Sequence, residues 1–205
     1  MEHHRPIIDA GPGLNFLSIN QENLLIRILG PMSTPATVAE EIKRKAREDE
    51  RFKAAGTTMG KLVPKYLNIL PDDPTPDLEA VVNRITQLPM VQRQRQAKDL
   101  GELMVVAHAV VAAQAGQQVI VLIDDADGAR LAGQEIRRLR RLQAQGKPVG
   151  AIKLAGTLTI LQGAVRRKLV PDKGAMRKIY GRLRSLDDGL VPIEQTELLS
   201  NALWQ

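Results

Sequence analysis

Apolar runs closed by polar residues divide the chain into short predicted strands and longer predicted helices. Residues 119–123, VIVLI, form a continuous apolar run rich in β-branched side chains, which is typical of a buried strand in a parallel sheet. Residues 6–8 and 149–155 are predicted to form two further strands. The patterns with helical spacing, and therefore the main predicted helices, are 98–116, 128–146 and 156–171.

The boundaries near the N-terminus and the middle of the chain are marked by turn-forming residues. The sequence AGPG at 10–13 is predicted to break the chain before a helical pattern that begins at Leu14. Ser33 or Thr34 is predicted to cap the next helix. Residues 47–98 contain clustered Pro, Gly and Asp, and we expect an insertion of helical pieces joined by loops.

Strands and helices alternate through most of the chain. This alternation predicts an α/β fold of three layers, α/β/α, with a central parallel sheet covered on both faces. We expect residues 1–171 to form the main domain, which the insertion interrupts. Residues 172–205 are predicted to form a C-terminal helical extension.

Composition narrows the range of partners and locations. The 205 residues are 43% hydrophobic and include no cysteine, which excludes disulfides and thiolate metal sites. No apolar run approaches the roughly 20 residues that span a bilayer, and the N-terminus lacks a secretory pattern, so we expect a cytoplasmic protein without a membrane partner. The net charge of +6 favours a polyanionic partner, and because aromatic residues make up only 2%, contacts to phosphate should dominate over base stacking.

Carboxylates recur where the predicted strands end and the predicted helices begin. At the carboxyl edge of a parallel sheet such groups converge, and several oxygen ligands suit a hard cation such as Mg²⁺. Each one alone is more often explained by turn chemistry or by the helix dipole. The carboxylates are Asp9, Glu40, Glu41, Asp99, Glu102, Asp124, Asp125 and Asp127.

The order of these residues resembles that of the PIN domain family, in particular the VapC-type toxin ribonucleases and their PIN-like relatives. IIDAGPGLNFL resembles the opening motif with Asp9, and STPATVAEEI resembles the second motif, where Glu41 fits best and Glu40 second. KDLGELMVVAHA resembles a Gly-Glu helix motif, with Glu102 at the third acidic position and Asp99 one turn earlier. VLIDDADGARLA resembles the fourth motif, and GTLTILQGAVRRKLVP resembles the closing helix of the PIN-like branch.

The resemblance implies a Mg²⁺- or Mn²⁺-dependent endoribonuclease, often dimeric and often paired with an antitoxin. It implies the catalytic residues Asp9, Glu41, Glu102 and Asp125. The implied metal ligands are Asp9, Glu102, Asp124 and Asp125, and Glu40, Asp99 and Asp127 are additional acidic candidates. The fourth motif has Ile123 where the family has Thr or Ser, so Asp124, Asp125 and Asp127 stay alternatives for the residue that faces the metal.

Two basic helices are candidates for contact with RNA phosphates. Alternatively, their cations form an ordinary solvated helix face, and the two interpretations are about equally supported. His108 lies mid-helix without an obvious partner and is expected to be structural. The RNA-binding candidates are Arg137, Arg138, Arg140, Arg141, Arg166 and Arg167.

The sequence therefore predicts a metal-dependent endoribonuclease, the toxin of a type II toxin–antitoxin pair and a homodimer. The first alternative is a catalytically weak PIN-like module that binds RNA or a partner protein. A Mg²⁺-dependent phosphatase of the haloacid dehalogenase kind is disfavoured, because IIDAGPG lacks a second Asp two residues after Asp9. A purely structural interaction module is the last alternative.

Overall fold

A five-stranded sheet in which all neighbouring strands are parallel forms the centre of the protein. The computed structural model describes residues 3–205. The strands are β1 (Ile7–Ile8), β2 (Met32–Pro35), β3 (Leu67–Leu70), β4 (Gln118–Leu122) and β5 (Ala151–Ala155). Their order across the sheet is β3-β2-β1-β4-β5. With helices on both faces, the predicted three-layer α/β/α fold is confirmed.

Helices connect the strands and extend beyond the last one. Short 3₁₀ turns occur at Glu50–Phe52, Ile193–Gln195 and Glu197–Leu199. The α-helices are α1 (Ala10–Ser18), α2 (Glu22–Leu29), α3 (Ala36–Glu48), α4 (Lys53–Leu62), α5 (Pro76–Thr86), α6 (Met90–Arg93), α7 (Leu100–Gln114), α8 (Ala126–Ala144), α9 (Thr157–Arg166), α10 (Lys173–Arg184) and α11 (Asn201–Trp204).

Helix α7 is largely buried in the fold. It lies across one face of the sheet against β1, β2, β4 and β5, with α3 and α8 as neighbours. Nearly all of its side chains are apolar, because other parts of the protein pack against it on several sides. The consecutive residues Met104, Val105 and Val106, for example, all have no exposed surface. Neither α7 nor any other helix within residues 3–205 combines the length and apolar character needed to cross a membrane.

The helix start predicted at Ser33 or Thr34 is wrong, because both residues belong to β2. Both are buried, and the Thr34 hydroxyl donates a hydrogen bond of 3.0 Å to the carbonyl of Ile8. Helix α3 follows directly, and a distant residue caps it: the Asp72 carboxylate accepts a hydrogen bond of 2.6 Å from the Thr37 amide. A tertiary contact thus replaces the local cap that the sequence suggested.

Two further local predictions are corrected. The predicted break at AGPG is wrong because residues 10–13 form the first turns of α1, where the missing amide proton of Pro12 costs no helical hydrogen bond. The segment 47–98 holds the predicted helical pieces, but it also supplies β3. Residues Met32 to Pro35 pair with Leu67 to Leu70, so this segment builds one edge of the central sheet.

Residues beyond 171 pack on the same hydrophobic core as the rest of the chain. Tyr180, Leu183 and Leu198 are each at most 1% exposed within it. Helix α10 and the segment that follows it therefore pack against the central hydrophobic core.

Candidate functional site

The candidate site lies where the order of the strands reverses. The chain runs from β1 to β2 and β3 on one side of the sheet, and it returns through β4 and β5 on the other. The carboxyl ends of β1 and β4 are adjacent, since Ile8 pairs with Leu122. Ligands of open α/β sheets bind in the crevice at this position. A cleft of about 730 Å³ opens there.

Carboxylates from separate parts of the chain line this cleft. Lys45 is the one cationic side chain among the described lining residues. The site is therefore strongly acidic, although the protein as a whole is basic. The lining carboxylates are Asp9, Glu41, Glu102, Asp124, Asp125 and Asp187.

Asp9 is the most buried of these carboxylates. It directly follows β1, is the N-cap residue of α1 and is 3% exposed. The pKa of Asp9 is raised to about 7: burial is the largest cause, the backbone amides of Ala10 and Gly11 oppose the shift, and the negative charges of Glu102 and Glu41 add to it. Asp9 consequently holds a proton over much of the range in which an ordinary aspartate is charged.

Glu102 projects from the first turn of α7 toward the same region. Its pKa is raised, first by burial and then by the charges of Glu41, Asp125 and Asp99. Neither Glu102 nor Asp9 forms an ion pair or a hydrogen bond with another side chain of the described part of the chain. No cationic side chain in this part is therefore paired with either carboxylate.

Gly101 allows the carboxylates to approach the start of α7. A Cβ atom at this position would lie 3.2 Å from Oε2 of Glu41 and 3.9 Å from Oδ1 of Asp9. The two oxygens thus converge over the glycine from α3 and β1. Any larger residue would fill the space between them.

Three of the remaining carboxylates have local partners. Asp124 accepts hydrogen bonds of 2.7 Å from the amide and 2.6 Å from the hydroxyl of Thr157. Its pKa is nevertheless raised, because loss of hydration outweighs these bonds. Asp125 caps α8 by accepting from the Gly128 amide at 2.8 Å, and Lys45 lies 3.0 Å from Glu41. Capping and ion pairing therefore offset much of the charge at these positions.

Asp187 is a cleft residue that the sequence analysis missed. It belongs to the C-terminal loop, which we define as residues 186–191. The side-chain amide of Asn15 donates a hydrogen bond of 2.8 Å to Oδ2 of Asp187, and Asn15 is only 3% exposed. The loop is also held at its far end, where the Tyr180 hydroxyl donates to the carbonyl of Val191 at 2.7 Å. No local sequence signal joins two segments so far apart in the chain.

The predicted site residues separate into two groups. Asp9, Glu41, Glu102, Asp124 and Asp125 line the cleft. The other three acidic candidates do not line it: Glu40 pairs with Lys43, Asp127 pairs with Arg130, and Asp99 is exposed at the start of α7.

The arginines predicted to bind RNA lie on α8 and α9. Arg137, Arg140 and Arg141 are exposed, whereas Arg138 is partly buried and lies 3.8 Å from Glu135. Arg166 and Arg167 are exposed at the end of α9, where Arg167 donates to the carbonyl of Arg27. Both helices begin at the cleft and run away from it, so these cations lie at the distal ends.

His108 has a partner that the sequence did not reveal. Its Nε2 atom lies 2.8 Å from Oδ1 of Asp72, and both side chains are mostly buried. Asp72 also caps α3, and the hydrogen bond from His108 contributes to lowering its pKa against the opposing effect of burial. This pair connects α7, α3 and the loop after β3, in keeping with a structural histidine.

The donor set suits a hard, hydrated cation. Carboxylate oxygens are the ligands that Mg²⁺ prefers, and Mg²⁺ commonly takes only one or two of them while keeping several waters. One oxygen of Asp9 and one of Glu41 each lie within 4 Å of the position that a Cβ atom of Gly101 would occupy, and neither Asp9 nor Glu102 forms an ion pair with another described residue. Within residues 3–205, no three His, Cys, Asp or Glu side chains are grouped closely enough to hold a metal ion by themselves.

The fold and the cleft together define an α/β/α protein with an acidic crevice at the strand switch point. The chain matches no protein-family model, no curated protein and no solved structure. Its function must therefore be argued from its own residues and from the motif resemblance.

Proposed function

We propose that this protein is a Mg²⁺- or Mn²⁺-dependent endoribonuclease of PIN-like type. The observation that carries the proposal is that Asp9 and Glu102, which have raised pKa values and no ion-pair partner among residues 3–205, share an acidic cleft at the carboxyl ends of β1 and β4. Buried charges without partners cost stability unless a cation relieves them. A divalent cation in this cleft would provide that relief.

The carboxylates of the cleft would have different roles in the proposed reaction. Asp9 and Glu102 would hold the ion directly or through water, and Asp125 and Asp124 would complete its surroundings from the end of β4. Glu41 would orient the attacking water, and its position is maintained by Lys45 at 3.0 Å. When bound, the ion would lower the pKa of that water and offset charge on the scissile phosphate.

The second candidate is a PIN-like module that binds RNA or a partner protein with weak or no catalysis. The departure of the fourth motif from the family pattern, where Ile123 stands in place of Thr or Ser, favours it. This candidate predicts RNA affinity that depends on salt but not on divalent ions.

Cleavage of RNA by the purified full-length chain tests the proposal. A mixture of structured transcripts and total cellular RNA would be incubated with Mg²⁺, with Mn²⁺ or with EDTA. We expect discrete cuts that require the metal and disappear in Asp9→Asn and in Glu41→Gln. Uncut RNA in every condition, together with calorimetry that detects no metal binding, would leave the binding module as the better explanation.

Two neighbouring acidic residues supply matched controls. Glu40→Gln removes the same group as Glu41→Gln, but from the exposed face of α3. Asp127→Asn removes an exposed carboxylate two residues after Asp125. Cleavage should survive in both controls, and its loss there would show that the cleft carboxylates are not specifically required.

We further propose that the protein acts as the toxin of a type II toxin–antitoxin pair and as a homodimer. The support is the motif resemblance, because toxins of this kind are often dimeric and are neutralised by a partner. Induced expression in bacteria should stop growth with the wild-type chain but not with Asp9→Asn. Sedimentation of the purified chain measures the oligomeric state directly.

A further inference from the structure

The cations near different parts of the acidic cleft differ in whether they form ion pairs. On the wall that contains Glu41 and Phe52, five cations lie within 3.2 Å of a carboxylate, whereas Arg47 of α3 forms no ion pair with another described residue. In the five pairs a neighbouring carboxylate balances the positive charge. The pairs are Lys43–Glu40, Arg44–Glu48, Lys45–Glu41, Arg51–Asp49 and Lys53–Glu50.

Helix α10 contributes Tyr180 to another part of the cleft lining. This helix contains no acidic residue, and none of its cations forms an ion pair with another residue in the described part of the chain. Its apolar side, with Met176 and Leu183, faces the core. Its cations are Lys173, Arg177, Lys178, Arg182 and Arg184.

Tyr180 connects this basic helix to the cleft. Its side chain lines the cleft, and Arg177 and Arg184 lie one turn before and one turn after it on the same side of α10. The Arg184 side chain donates a hydrogen bond of 3.1 Å to the carbonyl of Leu190 in the C-terminal loop, which also lines the cleft. The free positive charge of α10 thus borders the acidic site.

We propose that α10 is the surface that binds the phosphate backbone of single-stranded RNA and presents it to the cleft. The choice of RNA rests on the proposed function. Six carboxylates repel a polyanion, so a substrate needs nearby cations to offset that repulsion, and α10 supplies them at the edge of the cleft. The low aromatic content agrees with binding through phosphate contacts.

The test compares two triple variants that remove the same number of charges. Lys173→Gln, Arg177→Gln and Arg184→Gln change the cations on the Tyr180 side of α10, and Gln keeps a donor for the hydrogen bonds of Lys173 and Arg184. The control, Lys43→Gln, Arg44→Gln and Lys53→Gln, removes cations that are already paired, near another part of the cleft. Binding of a fluorescein-labelled 12-nucleotide oligouridine to the full-length protein would be followed by anisotropy, in EDTA and over a range of NaCl concentrations.

We expect the α10 variant to lose roughly 10- to 100-fold in affinity at about 0.1 M salt, because each phosphate contact on a single strand contributes about 0.7 to the salt slope. The slope should fall by about 2, and the control should lose less than about 3-fold. Equal losses in both variants would attribute the effect to net charge and overturn the proposal. Unchanged binding in the α10 variant, or wild-type protein that does not bind the oligonucleotide, would overturn it as well.

The binding assay contains no divalent ion, so its outcome does not depend on cleavage. Lost affinity in the α10 variant with no metal-dependent cleavage in the wild type would support the surface and contradict the nuclease. Metal-dependent cleavage with unchanged affinity in the α10 variant would support the nuclease and contradict the surface.

Discussion

Replacing Asp9 with asparagine should stabilise the folded protein at neutral and alkaline pH, although it removes a central residue of the site. Asp9 is 3% exposed, and burial is the main reason why its pKa lies at about 7. The charged form is therefore disfavoured in the folded state. Asparagine has nearly the same shape and carries no charge, so it avoids this cost.

The size and sign of the effect follow from proton linkage. The pKa of Asp9 rises from 3.8 in the unfolded chain to about 7 in the folded protein, so the folded state binds the proton more tightly. Stability is thus lost as pH rises from about 4 to about 7, and the full cost applies above that range. At about 1.4 kcal/mol for each pKa unit, the cost at pH 8 is roughly 4 kcal/mol.

Urea unfolding in EDTA would measure this difference. The free energy of unfolding of Asp9→Asn should exceed that of the wild type by roughly 4 kcal/mol at pH 8 and by much less at pH 4.5. Taking the difference between variant and wild type at each pH isolates Asp9 from other titrating groups. Asp127→Asn, on the exposed surface, should change the free energy by less than about 0.5 kcal/mol at either pH.

A difference between Asp9→Asn and wild type that is the same at pH 4.5 and pH 8 would refute the reasoning, because it would show that the charge on Asp9 carries no cost. Adding Mg²⁺ extends the test. Binding to the folded state should stabilise the wild type by mass action at pH 8 and should have little effect on the variant.

Three further predictions concern other contacts. Gly101→Ala should lower the rate of metal-dependent cleavage while the protein stays folded, because the new Cβ atom would lie 3.2 Å from Glu41 and displace its carboxylate. Activity assays and thermal melting test the two parts. Arg84→Met should lower the free energy of unfolding by about 3–5 kcal/mol, because it removes the two hydrogen bonds of 2.7 Å that Arg84 donates to the buried Glu135 carboxylate. Adding Glu135→Leu to this variant should restore most of the lost stability, and urea unfolding measures both effects. Asn15→Ala should release the C-terminal loop, which limited proteolysis would detect as faster cleavage within residues 186–191.

The sequence predicted the parts of the fold whose signals are local and long. The apolar run at 119–123 identified β4, and the pattern of α7 was visible because nearly every position is apolar. The chain order of the carboxylates also predicted residues that now line one cleft, including Asp9 and Glu102. This worked because strand ends in a parallel sheet converge at one edge, wherever they lie in the chain.

The missed features depend on contacts between distant segments. β2 and β3 have four residues each, and their pairing with neighbouring strands, more than their composition, makes them strands. Asp72 caps α3 from a loop 35 residues away, and Asp187 reaches Asn15 across 172 residues. Local patterns carry no information about such pairs, so neither the cap nor the C-terminal loop could be predicted.

The cleft itself distinguishes carboxylates that serve folding from those that need another explanation. Asp124 and Asp125 sit at helix N-termini and accept hydrogen bonds there, which is sufficient to account for them. Asp9 and Glu102 also lie at the starts of helices, but neither pairs with another described side chain, and burial raises the pKa of both. Sequences that agree with their fold at most positions break that agreement chiefly at functional sites. Asp9 and Glu102, whose charged forms are disfavoured by burial, are thus the two residues to which the proposed metal chemistry assigns the central role, and unfolding and cleavage assays on the same Asp9 variant test both statements together.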